Sequence, residues 1–161
     1  MNLGEMTSSQ LLANYADIGD ELRRREVTRS ANNPAGDYAE HLFCLAFGWE
    51  RAGNSVKSYD AIDQTSGSRY QVKSRRLTDA TTSRQVSALR GLDGDCFDYL
   101  AGILFSRDFS VSRAAIVPYS TVLENSKYGV HTNSWRFFLR DGLWDLAGVM
   151  DVTNQLRAAT I

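Results

Sequence analysis

"YDAIDQTSGSRYQVKSRR", residues 59–76, decides how this chain folds. Two short runs carrying Tyr, Ile and Val flank "QTSGS", a turn with Gly67 in it, so the stretch predicts a β-hairpin. Side chains alternate along a strand. Gln71 and Lys73 therefore share one face, and Tyr70, Val72 and Ser74 share the other. An amide and an ammonium on one face of an inner strand call for a reason beyond packing. The first arm adds Asp60 and Asp63, three positions apart, which a regular strand turns to opposite faces. Asp63 abuts the turn, where an aspartate commonly caps the backbone. Asp60 lies deeper in the sheet and is the aspartate expected to share the face of Gln71 and Lys73.

Upstream, "SANNPAGDYAEHLFCLAFGWE" (30–50) predicts a helix with Asn33 as N-cap and Pro34 at its first position. From Tyr38 to Trp49 it is apolar nearly all round, the pattern of a buried helix. Its one formally charged residue is Glu40, and a carboxylate there must meet a cation or hydrogen-bond donors. One reading is a structural ion pair, to Lys73 or to an arginine; the other is a functional site. Further upstream, "SSQLLANYADIGDELRRRE" (8–26) reads as an amphipathic helix packed by the stripe Leu11, Tyr15, Ile18 and Leu22.

Downstream, "ATTSRQVSALRGL" (80–92) reads as a loop into a short helix, capped by Thr82 or Ser83. "CFDYLAGILFS" (96–106) is a near-continuous apolar run, as in a central strand covered on both faces. "SRAAIVP" (112–118) is a further strand, "YSTVLENS" one or two helical turns, "SWRFFLR" (134–140) a short strand and "LWDLAGVMDVTNQLR" (143–157) a closing helix. The whole, residues 1–161, is expected to be a single α/β domain with a central mixed β-sheet flanked by helices.

The composition sets limits. The chain has 161 residues, 43% of them hydrophobic and only 2 of them Pro, enough for a sizeable core. No run is long and apolar enough for a membrane span, and "MNLGEMTSSQ" lacks the regions of a signal peptide. Cys44 and Cys96 match no metal spacing and read as free thiols of a cytoplasmic protein. A net charge of -1 gives no global sign of nucleic-acid binding, so such a role must rest on a local patch. One exists: Arg69, Lys73, Arg75, Arg76, Arg84 and Arg90 stand against the single acid Asp79 between residues 69 and 90. Arg75, Arg76 and Arg84 are the candidate phosphate contacts. The alternative is that some of these arginines pair with the acid-rich segments "GLDGDCFD" and "LRDGLWD".

Other chemistry ranks low. His41 and His131 are isolated, and Ser74, Ser83 and Ser87 lack a nearby His and Asp, which argues against a serine hydrolase. Asp98, at the start of the apolar strand, is expected to make a strand-end hydrogen bond. Oxygen donors suit Mg²⁺, which wants one or two carboxylates and keeps several waters. A lysine beside such an ion can hold or help deprotonate a water, or offset charge that builds on a phosphate. The bland alternative is an Asp60–Lys73 inter-strand ion pair with Gln71 at an edge.

"GDYAE", "YDAID" and "YQVKSRR" together resemble the core of the PD-(D/E)xK, or restriction-endonuclease-like, nuclease superfamily. The whole chain also resembles an uncharacterised bacterial domain family within it. The resemblance implies a helix glutamate at Glu40, a strand aspartate at Asp60, Gln71 in place of the usual acid, and a catalytic lysine at Lys73. It implies a metal-dependent DNA endonuclease of restriction-endonuclease-like fold, with Mg²⁺ (or Mn²⁺) held by Asp60, the Gln71 side chain, the Val72 carbonyl and, directly or through water, Glu40. Tyr59 stands where the family has proline, which supplies no ligand. Gln71 offers a carbonyl oxygen without charge, so the cation would be held less tightly. Cutting both strands would need a homodimer or a partner. The alternative implied function is a catalytically inactive nuclease-fold domain that binds nucleic acid or protein.

Overall fold

The computed structural model describes residues 2–53, 58–94 and 96–159. In chain order its elements are α1 (Ser8–Arg24), α2 (Ala35–Phe47), β1 (Glu50–Arg51), β2 (Ala61–Ile62), β3 (Arg69–Arg76), β4 (Tyr99–Phe105) and β5 (Val111–Pro118). They continue with α3 (Tyr119–Glu124), β6 (Lys127–Gly129), β7 (Ser134–Arg136), β8 (Met150–Asp151) and α4 (Thr153–Ala158). Six strands form one mixed sheet in the order β1-β2-β3-β4-β5-β8, and β6 and β7 form a separate two-stranded ribbon. β3 and β4 run parallel; the other neighbours are antiparallel. Among the described residues no helix is long and apolar enough to cross a membrane.

Each face of the sheet has its own core. On one, Tyr70, Val72, Ala101 and Ile103 pack against Ala39, Leu42 and Phe43 of α2 and Leu156 of α4. On the other, Leu100 and Leu104 pack against Val86, Leu89, Leu92, Phe137 and Leu139. β4 is buried from Leu100 to Phe105, as its unbroken apolar run predicts. Stacked rings join α2 to β3: Phe43 lies 5.8 Å from Trp49 and Trp49 3.6 Å from Tyr70, centroid to centroid. This column fixes α2, and with it Glu40, over the sheet. Asn33 Oδ1 accepts from Ala35 N at 3.0 Å at the start of α2.

Four expectations need correction. α1 forms with its Thr7–Gln10 capping box, yet it buries no residue. Leu12, Tyr15 and Ile18 are exposed, and Leu11 marginally so. The sheet face nearest in sequence is already covered by α2 and α4, so only the C-terminal end of α1 finds a partner. There Leu22 lines a groove with Tyr38 and Leu42. Residues 80–92 form no helix. Val86, Leu89 and Leu92 recur every third position, close to helical spacing, but the segment lies extended and pairs with residues 135–138. Residues 143–157 are a 3-10 turn, β8 and the short α4 rather than one helix. Gly148 at φ +80° turns the chain between them, a conformation that favours glycine. Finally, the first arm of the hairpin is regular strand only over β2, and β1 adds a third strand at that edge.

Candidate active site at the β2–β3 edge

Asp60 stands immediately before β2. Its N–H donates at 2.8 Å to the carbonyl of Tyr70, the residue already paired with Ala61, while its C=O accepts from Ala52 N at 2.8 Å on the other side, so the regular ladder breaks at Asp60. Its carboxylate then reaches back across the next step. Asp60 Oδ2 accepts from Val72 N at 2.7 Å and from the Gln71 side-chain amide. β2 has ended there, so the Val72 N–H would otherwise lack a ladder partner. The Val72 carbonyl lies on the same edge of β3, because the N–H and C=O of one strand residue point to the same side. Among the described residues both partners of the carboxylate sit on Oδ2, and Asp60 lines a cavity.

That cavity, about 380 Å³, is lined by Arg29, Ser30, Asp37, Glu40, Ala52, Gly53, Tyr59 and Asp60. α2 thus brings Glu40 to the same opening as Asp60. Burial pushes the Asp60 carboxyl above its ordinary value, opposed by the Val72 N–H and the charge of Lys73. Burial, and then the charge of Asp60, push Glu40 up as well, opposed by Arg51. Two desolvated carboxylates around one opening make a site that gains from a cation.

Glu40 already has one. Arg51 Nη2 lies 3.1 Å from Glu40 Oε2 and also donates to Asp37 O at 3.1 Å. Of the two partners foreseen for Glu40, the arginine is the one in contact. Asp37 lines the same cavity, but its Oδ2 accepts from Arg29 N at 2.9 Å and from Ser30 N at 3.0 Å, fixing the entry to α2. Arg29, Asp37 and Arg51 were not singled out in sequence. Arg51 sits in a two-residue strand that no periodicity marks, and only the fold carries it to Glu40.

Lys73 shares the Gln71 face, opposite α2. Its Nζ donates to Ser87 Oγ at 3.2 Å. Burial lowers its ammonium below the ordinary lysine value, opposed by the charges of Asp60 and Glu40. No Asp60–Lys73 ion pair within 4 Å is formed among the described residues. Asp63 takes the turn-capping role: Oδ1 accepts from Thr65 N at 2.9 Å and Oδ2 from Ser66 Oγ at 2.9 Å.

The donor set bears on a metal. Among the described residues there is no group of three or more His, Cys, Asp or Glu side chains arranged to hold an ion. Two carboxylates, an amide and a main-chain carbonyl are nonetheless hard oxygen donors. Donors of this kind suit a cation such as Mg²⁺, which keeps several waters and takes one or two carboxylates. Among the described residues, however, Gln71 and Val72 do not line the cavity shared by Asp60 and Glu40, and Gln71 turns its amide nitrogen to Asp60.

Two arginines of the basic strip, Arg69 and Arg84, pair with the acid-rich segments, as the alternative has it. Arg69 donates from Nε and Nη2 to Asp98 at 3.1 and 3.0 Å, which is the strand-end bond expected of that aspartate. Arg84 lies 2.5 Å from Asp141, whose carboxylate also meets Arg113 at 3.3 Å. Arg75 donates from Nε to Ser83 O at 3.1 Å, and the Arg76 guanidinium stacks 4.5 Å over the Phe109 ring. Cys44 and Cys96 are free and only partly buried, where their apolar surroundings in sequence suggest buried thiols.

No protein-family model and no curated protein match the chain. Among solved structures it is similar to "The structure of a bacterial homing endonuclease: I-Ssp6803I". The identity is 21%, over 70% of this chain and 79% of that chain, with a TM-score of 0.44. A likeness at that level concerns backbone shape alone.

Proposed function

We propose that this chain hydrolyses phosphodiester bonds in DNA with Mg²⁺ or Mn²⁺. The observation that carries the reading is the Asp60 carboxylate. It is desolvated, fixed by the Val72 N–H and the Gln71 amide, and free of any ion pair among the described residues. Asp60, the Gln71 side chain after an amide flip, the Val72 carbonyl and, directly or through water, Glu40 would hold the ion. When bound, the ion supplies Lewis acidity and a more acidic water.

The chain's own residues do the rest. Val72 N–H fixes the orientation of Asp60. Arg51 holds Glu40 beside the cavity and limits the repulsion between the two carboxylates. Lys73, kept in place by Ser87, presents an ammonium that orients the attacking water or offsets charge on the phosphate. Arg75 and Arg76 keep N–H groups for phosphates that their present partners leave free, whereas Arg84 is committed to Asp141. One chain carries one site, so cutting both strands requires a second copy or a partner.

The test is incubation with plasmid, single-stranded DNA and RNA, in Mg²⁺, Mn²⁺ or EDTA, beside Lys73→Ala. Metal-dependent nicking of DNA that disappears in EDTA and in the variant supports the reading. Equal cutting by both proteins removes it. A second reading has its own observation: Glu40 is already neutralised by Arg51, and Gln71 brings no charge. In that case the chain is a nuclease-fold module that binds nucleic acid or protein without cleaving it. A protein whose melting temperature does not respond to divalent metal, and which cuts nothing, would favour that reading.

A further inference from the structure

The β6–β7 ribbon lies outside the main sheet and plays no part in the site above. It spans Lys127–Gly129 and Ser134–Arg136, joined by the tip Val130–Asn133. Its register pairs Lys127 with Arg136 and Tyr128 with Trp135. Directly paired residues share a face, so one face of the ribbon is basic and the other aromatic. Tyr128 and Trp135 rings meet at 5.2 Å on the aromatic face. Lys127 and Arg136 are both exposed, and neither forms an ion pair among the described residues.

Like charges directly opposite across a two-stranded ribbon cost stability. Among the described residues no ion pair relieves this one. From Asn125 to Arg140 the sequence holds Lys127, Arg136, Arg140 and His131 and no acid at all, in a chain whose net charge is -1. Asp93 and Arg90 share a cavity with Tyr128 and Trp135, on the aromatic side. A polyanion laid along the basic face would relieve the repulsion.

The ribbon is also wired to the candidate site. Residues 84–89 run alongside 135–139, with Val86 N donating to Phe137 O at 3.1 Å, and Leu89 N to Trp135 O at 3.0 Å. Ser87, between those two contacts, is the residue that accepts the Lys73 ammonium. The tip is organised from within. Tyr128 OH donates to Asn133 Oδ1 at 2.8 Å, and Ser134 Oγ to Thr132 Oγ1 at 2.8 Å. Asn133 is exposed and held at φ +43°.

We infer that the β6–β7 ribbon enters the major groove of duplex DNA, with Lys127 and Arg136 on phosphates and His131, Thr132 and Asn133 at base edges. The inference rests on the nuclease reading for its substrate and names the element that would select the cutting position. β7 is bridged to residues 85–89 as well as paired with β6, so the part that enters is the projecting tip Val130–Asn133, which is no wider than the two-stranded β-ribbon that the B-DNA major groove admits. The deep, narrow major groove of A-form RNA cannot be read this way.

The experiment measures binding of a fluorescent 30-base-pair duplex in EDTA, where no cutting occurs, across a salt series. The proteins are wild type, Lys127→Ala/Arg136→Ala and Asn133→Gly, the last chosen because glycine keeps the positive φ. The double variant should bind about tenfold more weakly and flatten the slope of log affinity against log salt by about two. Asn133→Gly should keep the slope and narrow the difference in affinity between duplexes of different sequence. Circular dichroism should show both variants folded, since the altered side chains are exposed.

The metal-linked shift in melting temperature, read in the same proteins, reports the Asp60 site separately and should be the same in all three. An unchanged slope and affinity in the double variant, with metal response and cleavage intact, overturns the ribbon inference and leaves the nuclease reading standing. Ribbon-dependent duplex binding with no metal response and no cleavage upholds the inference and removes the nuclease reading. Failure of the wild type to bind duplex, or equal ribbon dependence on single-stranded DNA, overturns the assignment to the groove.

Discussion

Asp60 Oδ2 accepts the Val72 backbone N–H at 2.7 Å, so a side chain completes the ladder one step beyond the end of β2. The bond holds a desolvated carboxylate at the sheet edge where the Val72 carbonyl also lies. It explains why the two aspartates of the hairpin are not interchangeable.

Asp60→Asn should lose cleavage and the metal-linked rise in melting temperature together, because the amide removes the charge and keeps the shape. Asp63→Asn should keep both. Its own loss is confined to turn bonds and should stay below about 1 kcal/mol, since an amide oxygen can still accept from Thr65 N. Thermal melts with and without Mg²⁺, beside plasmid nicking, check the pair. The reverse pattern would place the metal at the turn and refute the site.

Lys73→Ala should reduce cleavage by about 10²-fold or more with the fold intact. Ser87→Ala should reduce it less, because Ser87 only accepts from the ammonium at 3.2 Å. Single-turnover rates on supercoiled plasmid distinguish the two. An Ser87 effect as large as the Lys73 effect would give the hydroxyl a role of its own.

Arg51→Met should destabilise the fold by about 2 kcal/mol, because it leaves Glu40 desolvated beside Asp60 with its nearest cation gone. The double variant Arg51→Met/Glu40→Gln should recover most of that loss. Urea unfolding of the four proteins of the cycle measures the coupling. Additive losses would mean that Arg51 acts through Asp37 O and the packing of β1 instead.

Asp98 sets an acid limb. Hydrogen bonds from the Arg69 side chain, and then its backbone N–H at 2.7 Å, hold the Asp98 carboxyl below its ordinary value of 3.8. The folded state therefore binds fewer protons than the unfolded chain in that range. The contribution is complete above the unfolded value and disappears as pH falls through the folded one. Asp98→Asn should be less stable than wild type at pH 7, by up to about 1 kcal/mol for this partly exposed pair. The difference should shrink as pH falls from roughly 5 toward 2. Urea midpoints measured along that series check the sign; a gap that widens toward acid would contradict it.

The sequence by itself determined the elements whose signal is local. Alternation in "RYQVKSRR" marked β3 to the residue, the apolar run in "CFDYLAGILFS" marked β4, which occupies Tyr99–Phe105 of it, and the proximity of Asp63 to Gly67 marked its turn-capping role. It also singled out Glu40 as an odd carboxylate on a buried helix. Tertiary structure alone decided the partners. Arg51 reaches Glu40 only because β1 pairs with β2, a contact between two-residue strands that carry no period. Arg84 meets Asp141 across 57 positions and Arg69 meets Asp98, so the acid partners of these two arginines of the strip are set by the fold and not by sequence proximity. The same holds for the false helix at residues 80–92. Val86, Leu89 and Leu92 carry a spacing that fits a helix, but the second core takes them in extended form, paired with 135–138. α1 is the converse case. Its stripe and cap are local and form as the sequence specifies, but whether a stripe is covered depends on what the sheet has left open, and α2 and α4 had already taken that face.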